Sequence, residues 1–533
     1  MNTPVLSHIG FETGGIKQAV LAQRADKYLV KNNEGKVCFE GEFEAFGYDP
    51  NAGEELWRAD FSELKETGAY TLCADNGCEV QFEIRQNAYE PVLKSTLKAF
   101  YYLRCGCALT PEYAGEFTHD VCHAGRALVW EDTSKSYEAD GGWHDAGDYG
   151  RYITAGACAL AHLLFAYRLY PQVFDSLEVH IPKSGGRLPD ILAECRYELS
   201  WMLKMQREDG GVYHKVSTAH HAAFVMPEKD TSQLYLFPVS SMATADFAAV
   251  CALASRIYRP FDAEFADCLF AAAQRADKWL VDHPDFLGFC NPKGCGTGEY
   301  GERGDRDNRF WACAELFACT GEELYHERMM ELLKSDFSLT ALGYGSVGGF
   351  GALTYLLCDM PNRRRVQQEK FRDAFLFEAV RLNELMAASG YHAAMSEQDY
   401  CWGSNMNLMK HAMIFAIADT VCGVKAFGRG VEYQLQCLLG CNPMDFCYIS
   451  GFGEKSLKNP HLRPAYADGV EECIPGMVSG GPNRHPADED AKRLIPAGTP
   501  PMKCFTDHAG CYSLNEITIY WNSPVVFALA YLM

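Results

Sequence analysis

Positive charge is scarce in this chain of 533 residues. Its 48 Lys and Arg are outnumbered by 70 Asp and Glu, for a net charge of −22. Such a surface repels phosphate backbones and anionic lipid, so neither nucleic acid nor a membrane is expected as a partner. No run of about 18 apolar residues occurs, hence no membrane span is expected. The opening Met-Asn-Thr-Pro-Val-Leu-Ser-His lacks the basic and apolar segments of a secretory signal. Cysteine, by contrast, is plentiful: there are 23, an odd number. They are scattered, and Cys251, Cys313, Cys319 and Cys358 fall inside helical patterns. Free thiols in a reducing compartment explain this better than a disulfide framework, so a cytoplasmic location is expected. Aromatics reach 13% of the chain, enough to build a core and still offer flat faces to a ligand such as a sugar ring.

Residues 1–88 read as a small all-β sandwich of immunoglobulin type. Strand-forming runs at Gln18–Ala22, Lys36–Gly41, Ala69–Ala74 and Glu79–Ile84 are divided by turn signals such as Asn32-Asn33-Glu34-Gly35 and Asp75-Asn76-Gly77. Gln86 to Pro91 is the expected boundary, and residues 89–533 read as helical. Apolar faces recur near 89–109, 149–170, 188–206, 240–258, 262–283, 307–320, 322–335, 347–357, 362–389, 404–422, 427–439 and 520–532. About twelve helices with long glycine- and proline-rich connections suggest six hairpins closed into an (α/α)6 barrel. The fold class is therefore mainly α, with a β module in front. The longest irregular stretch, 441–515, is expected to be functional.

Two stretches carry acids in chemical contexts. Asp140-Gly-Gly-Trp-His-Asp-Ala-Gly-Asp-Tyr-Gly-Arg-Tyr152 sets Asp140, Asp145 and Asp148 with His144 on a glycine-rich loop that runs into a helix. A calcium loop or an aspartate N-cap would explain the same residues. Glu516 lies between Leu514 and Ile517 just before the last helix; apolar surroundings raise a carboxyl's pKa, as a general acid needs, although a capping glutamate would look the same. A glycosidase needs two carboxylates across the scissile bond.

These stretches resemble the signatures of family 9 glycoside hydrolases, the cellulase family. The Asp140–Tyr152 stretch is similar to that family's aspartate motif, Tyr448–Arg463 to its histidine motif, and Phe505–Ser523 to its Asp/Glu motif. Cys447 departs from the usual residue beside the histidine motif. The Asp209-Gly-Gly-Val-Tyr-His-Lys stretch and the β module are similar to the subgroup with an N-terminal immunoglobulin-like domain. The resemblance implies an (α/α)6 barrel that hydrolyses β-1,4-glucan with inversion, as an endoglucanase or cellodextrin hydrolase. It implies that Asp148 is the base that activates water, that Asp145 helps hold that water, and that Glu516 is the acid. Asp507, Asn515 and Tyr520 would line the site, His461 and Arg463 would bind the sugar beside the cleaved bond, and Trp402 would be a stacking platform, unless it is a core Trp at a helix start. The expected partner is a β-glucan or cello-oligosaccharide. An exo-acting β-glucosaminidase on chitosan oligosaccharides is the alternative among enzymes, and a non-catalytic carbohydrate-binding protein the alternative among functions.

Two metals are expected. Cys105, Cys122, His123 and His144, spaced Cys-x16-Cys-His-x20-His, offer the two thiolates and two imidazoles of a closed structural zinc site. Cys107 and His119 compete as ligands, and scattered free Cys is the plainer explanation. The related subgroup has a zinc site resembling this one. Between Gly298 and Ala312, oxygen-bearing residues crowd a loop that opens a helix, which suits calcium. The resemblance implies Asp307 and Asn308 as side-chain ligands and backbone oxygens near Arg303 and Gly304. Asn308 stands where the family usually has Glu, and an acidic N-cap would explain the loop equally well.

Overall fold

The structure, a computed structural model, describes residues 3–533. Its first module has eight strands: β1 (Phe11–Glu12), β2 (Gln18–Leu21), β3 (Lys27–Asn32), β4 (Val37–Glu42), β5 (Glu44–Asp49), β6 (Glu54–Asp60), β7 (Gly68–Ala74) and β8 (Glu79–Arg85). They form two sheets, ordered β1-β8-β7-β3-β4 and β2-β6-β5. Gly35 and Gly77, both at positive φ, close the turns that the Asn-Gly signals announced. The core between the sheets holds Phe11, Tyr28, Val30, Phe61, Leu72, Phe82 and Ile84. Sequence patterning located four strands; β1, β3, β5 and β6 are additional. β5 and β6 alternate polar and apolar residues only weakly, because part of their outer face is covered by the second module.

That module is built on twelve long helices: α1 (Glu90–Tyr102), α2 (Ile153–Leu169), α3 (Asp190–Lys204), α4 (Ser241–Tyr258), α5 (Ala263–Asp282), α6 (Arg306–Thr320), α7 (Glu323–Leu332), α8 (Gly348–Leu357), α9 (Arg365–Ala387), α10 (Ser404–Thr420), α11 (Gly428–Leu438) and α12 (Ile519–Leu532). Even-numbered helices are inner. In α2 every residue from Ile153 to Tyr167 is buried, and α4 and α12 are nearly as enclosed. Odd-numbered helices are outer and amphipathic: α5 buries Ala266, Leu269, Ala272, Ala273, Ala276, Trp279 and Leu280, one face at helical spacing. Side-chain caps set where some helices begin. Ser240 accepts from the Ala243 amide at 3.2 Å and Asp262 from the Phe265 amide at 3.0 Å. The inner helices contact one another in the order α12, α2, α4, α6, α8, and α10 packs on α12. The result is the expected (α/α)6 barrel.

The long connections gather at one end and contain a feature the helical reading of 89–533 did not include. A mixed sheet, β9 (Arg126–Val129), β10 (Asp132–Glu138), β11 (Arg151–Tyr152), β12 (Lys215–Ser217) and β13 (Tyr235–Leu236), runs in the order β10-β9-β13-β12-β11. Four of its strands are too short to leave a periodic pattern, and the longer β10 is polar and mostly exposed. It ties the aspartate stretch to the 215–236 segment through the pairs Arg151↔Val216 and Tyr152↔Lys215.

The β module docks on the outer barrel wall. Asp49, 1% exposed, accepts from Gly390 N at 2.8 Å and Ser389 Oγ at 3.2 Å. The Glu432 carboxylate on α11 accepts from Ile16 N and Tyr89 Oη, both at 2.9 Å.

Candidate active site

The aspartate loop is held rigidly between two other chain segments. Gly147 lies so close to the histidine motif that a Cβ there would meet the His461 carbonyl oxygen at 2.1 Å. Only glycine permits that approach. Its carbonyl accepts from Arg463 Nη1 at 2.5 Å. On the other side the Ile519 amide, at the start of α12, donates to the Asp145 carbonyl at 2.9 Å, and His461 N donates to Asn515 O at 2.9 Å. Residues about 370 positions apart are thereby fixed against each other.

Asp145, Asp148 and Glu516 come together at two adjoining cavities of about 350 Å³ each. Asp148, Glu516, His221 and Trp402 line both, so they stand at the junction. Tyr152, Tyr300, Tyr344 and Tyr520 wall one cavity, with Asp145; His461, Arg463 and Tyr512 wall the other. Trp402 is 46% exposed and rests against Tyr512, ring centroids 5.4 Å apart. It faces the cavities and is no core residue.

The protonation of the acids is set by their surroundings. Burial alone would raise Asp148, but His221, the Arg463 charge and the Gly150 amide outweigh it and hold the carboxyl far below the usual carboxylate range. Gly150 N donates to its Oδ2 at 3.0 Å and Tyr152 Oη at 3.3 Å. Glu516 is pushed well up, first by burial and then by the negative charge of Asp148 and Asp145. Asp145 is also pushed up, by burial and then by Asp148. Its Oδ2 accepts from Tyr300 Oη at 2.5 Å, while its buried Oδ1 has no protein partner. Tyr300 reaches it from a left-handed backbone, φ 51°, the kind of local strain that concentrates at working sites.

Two expected wall residues, Asp507 and Asn515, stand elsewhere. Asp507 lies behind the histidine motif, not in either cavity. Its oxygens accept from Lys458 N and Asn459 N, both at 2.9 Å, and from Asn515 Nδ2 at 2.9 Å. With Asn459 Nδ2 a fourth donor at 3.2 Å, the carboxylate is occupied in fixing a loop, and Asn515 shares that task. Tyr152, His221, Tyr300, Tyr344 and Tyr512 were not singled out from the sequence. Tyr152 was in the aspartate stretch itself, Tyr300 sits in the stretch read for calcium and Tyr512 in the Phe505–Ser523 stretch; His221 and Tyr344 carry no local signal.

The four expected zinc donors converge. Cys105, Cys122, His123 and His144 are buried, with their ligand atoms all within 4.8 Å of one another. Cys107 and His119 are not in the cluster. His144 Nε2 and His123 Nδ1 are 3.3 Å apart, about the edge of a tetrahedron with metal–nitrogen bonds of roughly 2.0 Å. His123 Nε2 faces Asp230 Oδ2 at 3.4 Å, the carboxylate-behind-histidine arrangement that orients metal ligands. Asp230, 107 residues along the chain from His123, was not foreseen.

At the expected calcium loop, Asp307 Oδ2 accepts from Val347 N at 3.0 Å and Asn308 Nδ2 donates to Asp246 Oδ1 at 3.0 Å. Gly304 has open space about it. Three buried oxygens here lack partners: Asp246 Oδ2, Glu302 Oε1 and Asn308 Oδ1. An all-oxygen set of this kind suits a hard cation. Burial raises both Asp246 and Glu302; the charges of Asp307 and Asp305 add to it at Asp246, and those of Asp246 and Asp307 at Glu302.

Two carboxyls held in opposite protonation states at one junction, between aromatic walls, define the site of a glycoside hydrolase. Residues 89–529 match the family model described as Glycosyl hydrolase family 9, and residues 5–78 match that of a cellulase N-terminal ig-like domain; the chain belongs to glycosyl hydrolase family 9. It is 45% identical to a cellodextrinase of Butyrivibrio fibrisolvens, over 99% of both chains. Among solved structures it resembles a thermostable endoglucanase from Alicyclobacillus acidocaldarius, at 35% identity, 99% coverage of both chains and a TM-score of 0.95. A second, in complex with cellobiose-like isofagomine, gives 35% identity, 99% coverage of both chains and a TM-score of 0.93.

Proposed function

We propose that this protein hydrolyses β-1,4-glucosidic bonds of cello-oligosaccharides and soluble glucan with inversion. The observation that carries this reading is that Asp148 and Glu516 share both cavities while their surroundings drive their protonation apart. Asp148, ionised, takes a proton from water as that water attacks the anomeric carbon. Asp145 holds the water through its unpartnered Oδ1. Glu516 gives its proton to the departing glycosidic oxygen. Trp402 stacks on one sugar face, His461 and Arg463 bind hydroxyls in one cavity, and Tyr520 closes the other. The cellodextrinase relative, matched end to end, supports short glucans as substrates.

The test is reducing-end release from cellohexaose, carboxymethylcellulose and chitosan oligomers, with the new anomer followed by NMR. Fast appearance of the α-anomer from cellohexaose is expected. Release from chitosan oligomers alone would replace the glucan reading with the glucosaminidase one. Binding without release of any product would make this a carbohydrate-binding protein.

Cys105, Cys122, His123 and His144 fit a structural zinc, which would fasten His144 directly before Asp145. Metal analysis should find about one zinc per chain, and chelation should lower melting temperature and activity together. Asp230→Ala should weaken zinc retention by about 10–100-fold. Asp246, Glu302, Asn308 and Asp307 are the groups that would hold calcium, and added Ca2+ should then raise the melting temperature. The free thiols, with all 23 cysteines unpaired among the described residues, support a cytoplasmic location, which cell fractionation tests.

A further inference from the structure

Among the described residues, six Phe, Tyr or Trp side chains are exposed: Tyr48, Tyr137, Phe286, Phe377, Trp402 and Tyr466. Single exposed aromatics are ordinary on a protein surface. Four of these six pack against no other ring among the described residues. Trp402 and Tyr466 differ, because they are the two ends of one band of rings. Trp402 packs on Tyr512 at 5.4 Å between centroids, Tyr512 on His461 at 5.8 Å, His461 on Phe224 at 5.1 Å, and Phe224 on Tyr466 at 4.8 Å. The first three of these rings line the cavity that also holds Asp148, Glu516 and Arg463. The band therefore starts beside the acids and leads out of that cavity to Tyr466, which is 65% exposed.

The outer half of the band is held in place. Arg463 Nε donates to Ala222 O at 2.9 Å and Tyr149 Oη donates to Val225 O at 2.5 Å, on either side of Phe224 in the chain. The Arg463 guanidinium stands over the Phe224 ring, 5.4 Å from its centroid. Tyr466 lies on the single helical turn Arg463–Ala467, whose first residue is the arginine of the cavity wall. Its ring crosses that of Phe224 at 63°, so Phe224 supports it without covering it, and most of the residue stays open to solvent. A pyranose of β-1,4-glucan carries its hydroxyls around the rim and C–H bonds on both faces, which suits stacking on such a ring. An aromatic already braced by a neighbour loses little conformational freedom when a ligand settles on it.

We propose that Tyr466 is a further sugar-stacking residue: it receives a glucan unit beyond the one that His461 and Arg463 bind, and so makes longer cello-oligosaccharides better substrates than short ones. This rests on the reading of the cavities as a glucan site. Only Phe224 lies between His461 and Tyr466 in the band, so the added reach is one or two sugar units and not a long groove. Phe224 acts as the strut and Tyr466 as the surface that the sugar touches.

The test compares Tyr466→Ala and Tyr466→Phe with the unaltered protein on cellotriose, cellotetraose, cellopentaose and cellohexaose. Ala should raise KM for cellohexaose by about 3–10-fold with kcat within about twofold, and should leave cellotriose kinetics unchanged. Phe keeps the ring and should behave as the unaltered protein does. An Ala variant whose KM is unchanged on every length overturns the proposal. So does one whose KM rises equally on all lengths, since that reports displaced His461 and Arg463 and not a lost platform. A Phe variant as weak as Ala overturns stacking as the mode of contact. Calorimetric binding of the same series in a Glu516→Gln background reads the platform without turnover. There Tyr466→Ala should weaken cellohexaose and spare cellotriose; equal affinities with and without Tyr466 overturn the proposal. An unaltered protein that cleaves no β-1,4-glucan, yet shows this length-dependent loss of binding, overturns the catalytic reading and leaves the platform standing. One that binds no member of the series overturns both.

Discussion

At the scale of residues, the chemistry is a matter of two carboxyls in different electrical settings. Asp148 meets Arg463, His221 and a backbone amide; Glu516 meets buried Leu514 and Ile517 and the charges of two aspartates. Glu516→Gln keeps the shape and removes the proton, so kcat should fall by about 10²–10⁴-fold while cello-oligosaccharide affinity, read by calorimetry, stays within a few-fold. The pH profile follows from the same settings. Asp148 is held low and stays ionised across the ordinary range, whereas Glu516 is held high, so the rate should decline as pH rises through the pKa of Glu516. A rate that instead increases across the alkaline range would exchange the two roles. Trp402 is legible as an aromatic at a helix start but not as a platform; only its 46% exposure beside the acids separates the two. Trp402→Ala should weaken sugar binding by up to about tenfold, the roughly 0.5–1.5 kcal/mol of an aromatic contact.

At the scale of elements, loops matter more than helices. The histidine motif keeps its shape because Asp507 gathers the amides of 458 and 459 and the Asn515 side chain. The family resemblance implied Asp507 as a residue lining the sugar site, since an acid inside a catalytic motif looks the same whether it faces the cavity or the loop behind it. Asp507→Ala should lower stability by about 1–3 kcal/mol, from donors left without acceptors, and should raise KM through displaced His461 and Arg463. Urea unfolding read alongside kinetics checks both. An Asp507→Ala protein of undiminished stability but poor binding would return this residue to the cavity wall. The mixed sheet β9–β13 belongs to the same scale. It joins the aspartate loop to the segment of His221 and Asp230, and its short strands escaped a reading based on periodicity.

At the scale of the molecule, the β module braces the barrel through polar contacts at buried positions. Asp49 satisfies Gly390 N and Ser389 Oγ across the junction. Asp49→Ala leaves them unpaired, along with the Asn51 and Ala52 amides of its own turn, and should cost roughly 1–3 kcal/mol per unsatisfied group. Calorimetry should show a lower melting temperature with the catalytic profile unchanged in shape, because Asp49, Ser389 and Gly390 line neither cavity.

Twelve helices, an all-β front module and the three acids were legible in the sequence, because periodicity and turn chemistry are local and because Asp145 and Asp148 lie in one loop. The four zinc donors were legible by residue type. What tertiary structure alone decided is proximity between distant segments. Glu516 meets Asp148 because α12 closes the barrel against α2; Asp230 meets His123, and His221 meets Asp148, because a small sheet folds one loop over another. No local pattern encodes such contacts, since each arises from the packing of surfaces that carry no signal until they touch. The protonation of each acid is a tertiary property for the same reason: burial and neighbouring charge exist only once the chain is folded.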